Sequence, residues 1–308
     1  MSGADILPAS IRVLERGWLS SNNVLLFDDD GQATIVDTGY VTHKDQTLAL
    51  VRHALAGRLL ARIVNTHLHS DHCGGNALLK GAFGATIHIP PGHADAVARW
   101  DEDELTYRAT GQQCDRFVHD GVIKPGTVLR MGGMEWLAYP APGHDPHSLV
   151  LWASAPRILI SADALWSNGF GVIFPELEGE SGFAEQRAML QLIETLAPRL
   201  VIPGHGAPFT DLGAAIVRAH ARLDALSASL ERNARHAAKV LLKFYLLEVR
   251  QVAMPALIAH AARARYYPLI NDRYFRMPFD AFVRQQVSEL VAAGVAAMDG
   301  DTVHDMDG

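Results

Sequence analysis

Residues 66–76 read THLHSDHCGGN and place four side chains of metal-ligating types within six consecutive positions. They follow the apolar run LARIVN, which has the composition of a buried strand. His67 and His69 stand two apart, so in a tight loop both imidazoles can converge on one ion, while Asp71 and His72 face a neighbouring position. Side-chain packing gives no reason for so dense a run of ligands, and the stretch therefore predicts a metal site at a strand end.

Three later apolar runs end in groups of the same chemical types. They deliver His144 in PAPGHD, Asp163 in SADALW and His205 in IPGHG. Because open α/β sheets collect their ligands at the carboxyl ends of strands, we expect these side chains to meet at one edge of a sheet.

The region from Ile11 to about Pro208 alternates short strand-like runs with amphipathic segments. Apolar residues spaced by three and four predict helices over 44–56, 75–82 and 183–197. Strands are predicted in VLLFDDDGQATIVDTG, LARIVNTH, ATIHIP, EWLAYPAPG, SLVLWA, RILISAD and RLVIPGH. The alternation predicts an α/β layered domain.

Strand signals stop beyond Asp211. Residues 212–247 lack proline and predict one or two helices, and two further helices over 254–264 and 278–294 precede a small hairpin and a frayed tail, DGDTVHDMDG. We therefore expect a small C-terminal helical domain, winged-helix-like in its order of elements. The predicted division is a main domain over 1–211, a connecting helix over 212–235 and a C-terminal domain over 236–308.

The composition limits the classes of binding partner and the cellular location that we expect. The 308 residues are 49% hydrophobic and 20% charged, and the net charge of −7 argues against a general nucleic-acid binder. The two cysteines cannot build a disulfide framework, and the start MSGADILPAS resembles no signal peptide. No apolar run is long enough to span a bilayer. We expect a cytoplasmic protein with a small-molecule substrate and no membrane partner. A homodimer is left open as a possibility.

The ligand pattern resembles the metallo-β-lactamase superfamily, whose H-x-H-x-D-H signature stands here at residues 67–72, with an acidic strand end, Asp37 in IVDTG, before it. The resemblance covers roughly residues 10–210 and implies an αβ/βα sandwich as the catalytic domain. It also implies two divalent metal ions, for which zinc, iron and manganese all suit these ligands. By resemblance one metal takes His67, His69 and His144, the other takes Asp71, His72 and His205, Asp163 bridges the two, and Asp37 orients a ligand histidine.

Within that superfamily, residues 66–76 are similar to the T-H-x-H-x-D-H-x-G-G-N of glyoxalase II. The likeness implies a metal-dependent hydrolase that cleaves a small ester, thioester or lactone by attack of a metal-bridging hydroxide, with Asp71 as the catalytic proton shuttle. The C-terminal helices lack the N-P-F-x-R ending of glyoxalase II.

Three alternative functions stay open. A basic stripe on one predicted helix, Arg232, Arg235, Lys239 and Lys243, suits a phosphodiesterase or nuclease as well as a solvated face. An iron persulfide dioxygenase shares the H-x-H-x-D-H frame, and a non-catalytic sensor would keep the metal site and bind a ligand without turnover. The candidate wall of the substrate pocket is His147, Trp166, Phe170 and Phe174.

Overall fold

The computed structural model describes residues 7–306, and residues 1–6 and 307–308, the ends of the predicted main and C-terminal domains, lie outside the described part. The strands are β1 (Ile11–Leu14), β2 (Asn23–Phe27), β3 (Gln32–Val36), β4 (Leu59–Val64), β5 (Thr86–Ile89), β6 (Gly121–Val122), β7 (Val128–Met131), β8 (Met134–Pro140), β9 (Leu149–Ala153), β10 (Ile158–Ala162), β11 (Leu200–Pro203), β12 (Gln251–Ala253), β13 (Ala296–Asp299) and β14 (Thr302–Asp305). The α-helices are α1 (Lys44–Leu55), α2 (Ser70–Cys73), α3 (Asn76–Phe83), α4 (Ala94–Arg99), α5 (Tyr107–Thr110), α6 (Pro175–Glu178), α7 (Phe183–Leu196), α8 (Leu212–Ser227), α9 (Leu230–Val249), α10 (Met254–Arg263), α11 (Tyr266–Ile270) and α12 (Phe279–Ala292).

Two mixed sheets carry the main domain. The first has the strand order β1-β2-β3-β4-β5-β6, antiparallel from β1 to β3 and parallel from β3 to β6. The second has the order β11-β10-β9-β8-β7, antiparallel except for the parallel pair β10 and β11. Because β8 and β10 are both antiparallel to β9, the carboxyl ends of β8, β10 and β11 lie at one edge of the second sheet.

The alternation of side chains along β2 shows how the layers form. Val24 and Leu26 are buried between the two sheets, together with Trp136 of β8 and Ile160 of β10. Leu25 faces the opposite way, into a core that α1, α3 and α4 close. On the far side of the second sheet, α7 and α8 cover β9 and β10. The resulting αβ/βα sandwich confirms the predicted fold class.

The C-terminal region is helical with a small sheet. From α9 onward the elements follow as helix, strand, three helices, strand, strand, and the sheet has the order β12-β14-β13. Its core contains Leu242 and Tyr267 and also takes in Val172 and Leu177 of the main domain. The helical character of this region confirms that part of the prediction, and its winged-helix likeness stays a prediction. The predicted boundary at residue 235 falls inside α9, so the domain division stays a prediction.

The predicted frayed tail over 299–308 is wrong for residues 302–305. They form β14, the middle strand of the small sheet, and Val303 is fully buried. Asp305 accepts a hydrogen bond from the Lys243 ammonium and lies 2.7 Å from the Arg250 guanidinium. These ion pairs and the pairing with β12 order this polar segment, which with β13 forms the small hairpin that the sequence predicts. Across the described helices, none combines the length and the apolar character required to cross a bilayer.

Candidate metal centre

The first part of the candidate site follows β4. The chain leaves the sheet after Val64 and presents His67 and then His69, whose backbone is extended. It then turns at once into the four-residue helix α2. Asp71 and His72 lie on this single turn. The extended segment and the tight turn together aim four polar side chains into the space between the sheets' edges, where His67 and His72 are almost fully buried.

The second sheet supplies the rest from three loops. His144 follows β8, Asp163 follows β10 and His205 follows β11, at the edge that strand direction defines. All three are at least 94% buried. Gly204 makes the close approach of the last loop feasible, since a Cβ atom there would lie 2.2 Å from Asp163 Oδ1.

The predicted ligands come together in three overlapping groups. Within each group one ligand atom per residue lies within 4.8 Å of the others. The groups are His67, His69 and His144; His67, His72 and Asp163; and Asp71, His72 and His205. Ligands that lie far apart along the chain thus form one cluster in space.

Asp163 lies between the two ends of this cluster. Its Oδ1 atom is 3.4 Å from His72 Nε2, and its Oδ2 atom is 3.4 Å from His144 Nε2. At the far end, Asp71 Oδ2 is 3.1 Å from His205 Nε2. One carboxylate therefore faces imidazoles of both outer groups.

Asp37 holds the base of the cluster. Its Oδ2 atom accepts hydrogen bonds from His72 Nδ1 at 2.8 Å and from the Thr66 hydroxyl at 2.7 Å. Its Oδ1 atom accepts one from the Thr66 backbone amide at 2.9 Å. With Nδ1 engaged, His72 presents Nε2 to the centre, which is the usual way a carboxylate orients a ligand imidazole.

The electrostatics of the cluster favour a cation. Burial alone would lower the pKa of His72, but Asp163, Asp37 and Asp71 outweigh it and raise that pKa well above its ordinary value. Burial and the neighbouring imidazoles hold the pKa of His67 well below its ordinary value. Three carboxylates therefore meet around His72 and favour a positive charge at this place, which a metal ion can supply.

The donor set fits divalent metal ions. The Nε2 atoms of His67 and His72 are buried and make no hydrogen bond within the described chain, which is costly for polar atoms unless a ligand engages them. Neutral imidazoles and carboxylates are the ligands that zinc, iron and manganese accept. Cys73 follows His72, but burial raises the pKa of its thiol well above the ordinary value, so it stays a protonated core residue.

A cavity of about 1190 Å³ opens onto the cluster. Trp166 and Phe174 line it, as the sequence predicts. Phe170 and His147 do not, and the prediction that they form the pocket wall is wrong. Phe170 is fully buried in the core under α7 and α8, because the turn that pairs Trp166 with Gly169 directs the next side chain inward. His147 packs edge-on against His93, with ring centroids 4.4 Å apart.

Two residues beside the cluster escaped the sequence analysis. Trp18 is 58% exposed, and its ring stacks on His205 with centroids 5.4 Å apart. Asp145 is buried, with Oδ2 3.6 Å from His69 Nε2. Asp145 directly follows His144, a position that could have drawn attention to it, whereas nothing in the sequence around Trp18 connects that loop to the cluster.

Comparison with known proteins gives the family. A family model described as the metallo-beta-lactamase superfamily matches residues 16–205. A hydroxyacylglutathione hydrolase of Bdellovibrio bacteriovorus is 27% identical over 184 residues, which is 59% of this chain and 61% of that protein. A second one, from Anaeromyxobacter dehalogenans, is 30% identical over 158 residues, 51% of each chain. The chain thus spans about half to three fifths of the length of these relatives.

A solved structure matches over nearly the whole chain. It is a beta-lactamase domain protein from Burkholderia ambifaria, 23% identical, with a TM-score of 0.59 over 98% of this chain and 97% of that one. At this identity the likeness shows a shared fold, including the C-terminal region.

Proposed function

The chain belongs to the metallo-β-lactamase superfamily, and from that premise we propose that it is a hydrolase with two divalent metal ions that cleaves a small thioester, ester or lactone. The observation that carries the proposal is the position of Asp163 between two groups of imidazoles. Two-metal sites of hydrolases share ligands in this way across a separation of about 3.5–4 Å.

The ligands divide into two sets. His67, His69 and His144 would hold one ion, Asp71, His72 and His205 would hold the other, and Asp163 would serve both. The grouping of the ligand atoms supports this division. Zinc is the metal we expect, and iron or manganese would suit the same ligands.

When bound, divalent ions at these residues supply Lewis-acid activation of a water molecule and of the substrate carbonyl. The chain's own residues manage the proton. In hydrolysis, water adds its oxygen to the acyl carbon, the bond from that carbon to the leaving sulfur or oxygen breaks, and the water's proton moves to the leaving group. Asp71 carries that proton on Oδ2.

The position of Asp71 supports its role. Burial raises its pKa, but the charge of His72 and the hydrogen bond from His205 more than offset burial and lower it below the ordinary value. The carboxylate is therefore ionised and able to accept a proton. His205 and Asp37 position the groups around it, and the aromatic rings of Trp18 and Trp166 limit access of solvent at the His205 side.

Thioesters head the list of substrate classes because the curated relatives described above are hydroxyacylglutathione hydrolases, and those enzymes' name denotes a thioester substrate. Residues 66–76 also resemble the T-H-x-H-x-D-H-x-G-G-N motif of glyoxalase II. Lactones and esters present the same reacting carbonyl to the same site.

The test is a set of initial rates with metal-loaded protein on a glutathione thioester, an acyl-homoserine lactone and a bis-aryl phosphodiester. Asp71→Ala at matched metal content is the diagnostic variant, and Asp45→Ala, on the exposed side of α1, is the control. We expect cleavage of the thioester or the lactone, lost in Asp71→Ala and retained in Asp45→Ala.

Three other results would contradict the proposal. Cleavage of the phosphodiester alone would indicate a phosphodiesterase or nuclease. Consumption of oxygen with a persulfide substrate, followed with an oxygen electrode, would indicate a dioxygenase. Binding of these compounds without turnover would indicate a sensor.

A further inference from the structure

The cavity over the metal cluster continues to the C-terminal helices. Its wall passes from Asp163 and Trp166 to Arg222 of α8 and to His236 and Lys239 of α9. Space that reaches so far is larger than an acyl group needs. A substrate that reacts at the cluster therefore has room for a second, distant recognition group.

Arg222 is the unusual residue of this distant part. Its guanidinium donates one hydrogen bond, at 2.7 Å to His236 Nε2, and lies over the Phe170 ring at 5.3 Å from the ring centroid. Among residues 7–306 no carboxylate lies within ion-pair distance of it. Burial lowers its pKa, and no described acidic group raises it. A partly buried cation without a counter-ion is costly, so its remaining donors favour an anion.

His236 does not supply the missing charge. Burial, together with Arg222 and Lys239, lowers the pKa of His236 to about 3. The imidazole is therefore neutral near pH 7 and acts as an acceptor for Arg222. The stacking on Phe170 and the bond to His236 fix the plane of the guanidinium and leave its other N–H groups for the cavity.

The nearby acidic residues are committed elsewhere. Glu289, which also lines the cavity, lies 2.6 Å from Arg235 and 3.0 Å from Lys239. Asp305 pairs with Lys243 and Arg250. Away from the metal cluster, where Asp71 and Asp163 line the cavity, the described lining therefore combines the cations Arg222, Lys239, Lys243 and Arg250 with the carboxylate of Glu289.

We propose that Arg222, held by His236, binds an anionic group of the substrate, a carboxylate or a phosphate, while the acyl carbon lies at the metal cluster. The inference rests on the proposed hydrolase function and defines its substrate class as acidic. The planar guanidinium can bind either kind of anion through two parallel hydrogen bonds.

The experiment compares three thioesters that share an acetyl group. S-acetylglutathione carries carboxylates, acetyl-coenzyme A carries phosphates, and S-acetyl-N-acetylcysteamine is neutral. Initial rates are measured with metal-loaded wild type, Arg222→Gln and Arg222→Lys. Arg218→Gln is the matched control, since Arg218 lies one turn earlier on α8 and donates to the Ser167 carbonyl at 2.8 Å.

We expect kcat/KM of the wild type to favour one of the anionic thioesters. In Arg222→Gln, kcat/KM for that thioester should fall by about tenfold or more beyond its fall for the neutral thioester, mainly because KM rises. Arg222→Lys should restore part of the lost kcat/KM. An effect on S-acetylglutathione would indicate a carboxylate as the bound anion, and an effect on acetyl-coenzyme A would indicate a phosphate. Equal losses on all three thioesters, or losses as large in Arg218→Gln, would overturn the inference.

A binding measurement separates this inference from the proposed function. The S-methyl thioethers of the same three thiols are not hydrolysed, and their affinities for wild type and variants are measured by titration calorimetry. If neither a thioester nor a lactone is hydrolysed, the hydrolase proposal fails, while tenfold tighter binding of an anionic thioether that depends on Arg222 would still support the anion site. Equal affinities of the wild type for the neutral and anionic thioethers would overturn the site even if turnover is fast.

Discussion

His72 Nδ1 lies 2.8 Å from Asp37 Oδ2, and this hydrogen bond turns the Nε2 atom of the imidazole toward Asp163. The two residues come from different strand ends of the same sheet, after β4 and β3, which pair in parallel register. Their contact links the fold of the first sheet to the orientation of a candidate metal ligand.

Asp37→Asn should weaken metal binding while the protein stays folded. The amide keeps the size of the carboxylate but loses its charge, so the imidazole is less firmly oriented and less basic. We expect metal affinity to fall about 10–100-fold, as for other groups that orient ligand histidines. Competition with a chromophoric chelator measures this, with Asp45→Asn as the control. An unchanged affinity would show that Asp37 serves the fold alone.

Asp163→Ala should remove metal and nearly all activity. Asp163 faces both outer groups of imidazoles, so its loss should lower the affinity for the ions by at least about 100-fold. The loop position after β10 leaves the sheets intact, and the circular dichroism spectrum should match that of the wild type. Elemental analysis of the purified variant checks the metal content, and a wild-type stoichiometry would contradict the ligand assignment.

Tyr40→Phe should lower the free energy of unfolding, because it removes a hydrogen bond between the main domain and α9. The Tyr40 hydroxyl donates to Glu248 Oε2 at 3.0 Å and accepts from the Gln113 backbone amide at 3.3 Å. Loss of a hydrogen bond to a charged acceptor costs about 1.5–3 kcal/mol, and partial exposure of Glu248 places this one near the lower end. Urea unfolding measures the change. Tyr245→Phe, whose ring stacks on His260, should change stability by less than about 0.5 kcal/mol.

His236 should make the protein sensitive to acid. Its pKa falls from an ordinary 6.5 to about 3 in the folded chain, because of burial and the charges of Arg222 and Lys239. Between pH 6.5 and pH 3 the unfolded chain therefore binds a proton at His236 that the folded chain does not bind. The contribution of His236 to the free energy of unfolding is complete above about pH 6.5 and is lost as the pH falls toward 3. At pH 5 the loss amounts to about 2 kcal/mol.

His236→Gln tests this contribution. Glutamine can still accept the hydrogen bond from Arg222 but does not titrate, so unfolding free energies of variant and wild type should diverge below pH 6.5, with the wild type losing more. Urea unfolding at pH 7.5 and pH 5 gives the two differences. Parallel pH dependences would show that His236 is charged in the folded protein.

The sequence predicted the cluster because its ligands come in one dense motif and at the ends of strongly apolar strands. Each of those strands has enough buried residues to define itself, as β10 does from Ile158 to Ala162. By contrast, β12 has three residues and depends on pairing with β14, a tertiary contact that local sequence does not report.

The walls of the cavity were predicted less well for a related reason. Trp166 and Phe170 lie four residues apart, yet one lines the cavity and the other lies in the core, because a turn between them decides which way each side chain points. Arg222 lies on an ordinary amphipathic helix, and only the neighbours that folding brings to it reveal an unpaired charge.

The proposal of a two-metal hydrolase is tested most directly by the recovery of thioester hydrolysis as metal is added to metal-free protein. Protein stripped with a chelator is titrated with zinc, and initial rates on S-acetylglutathione are followed beside bound metal. We predict no activity without metal, recovery that is complete at two ions per chain, and no recovery in Asp163→Ala. Full activity in the stripped protein, or recovery in Asp163→Ala equal to that of the wild type, would contradict the proposal.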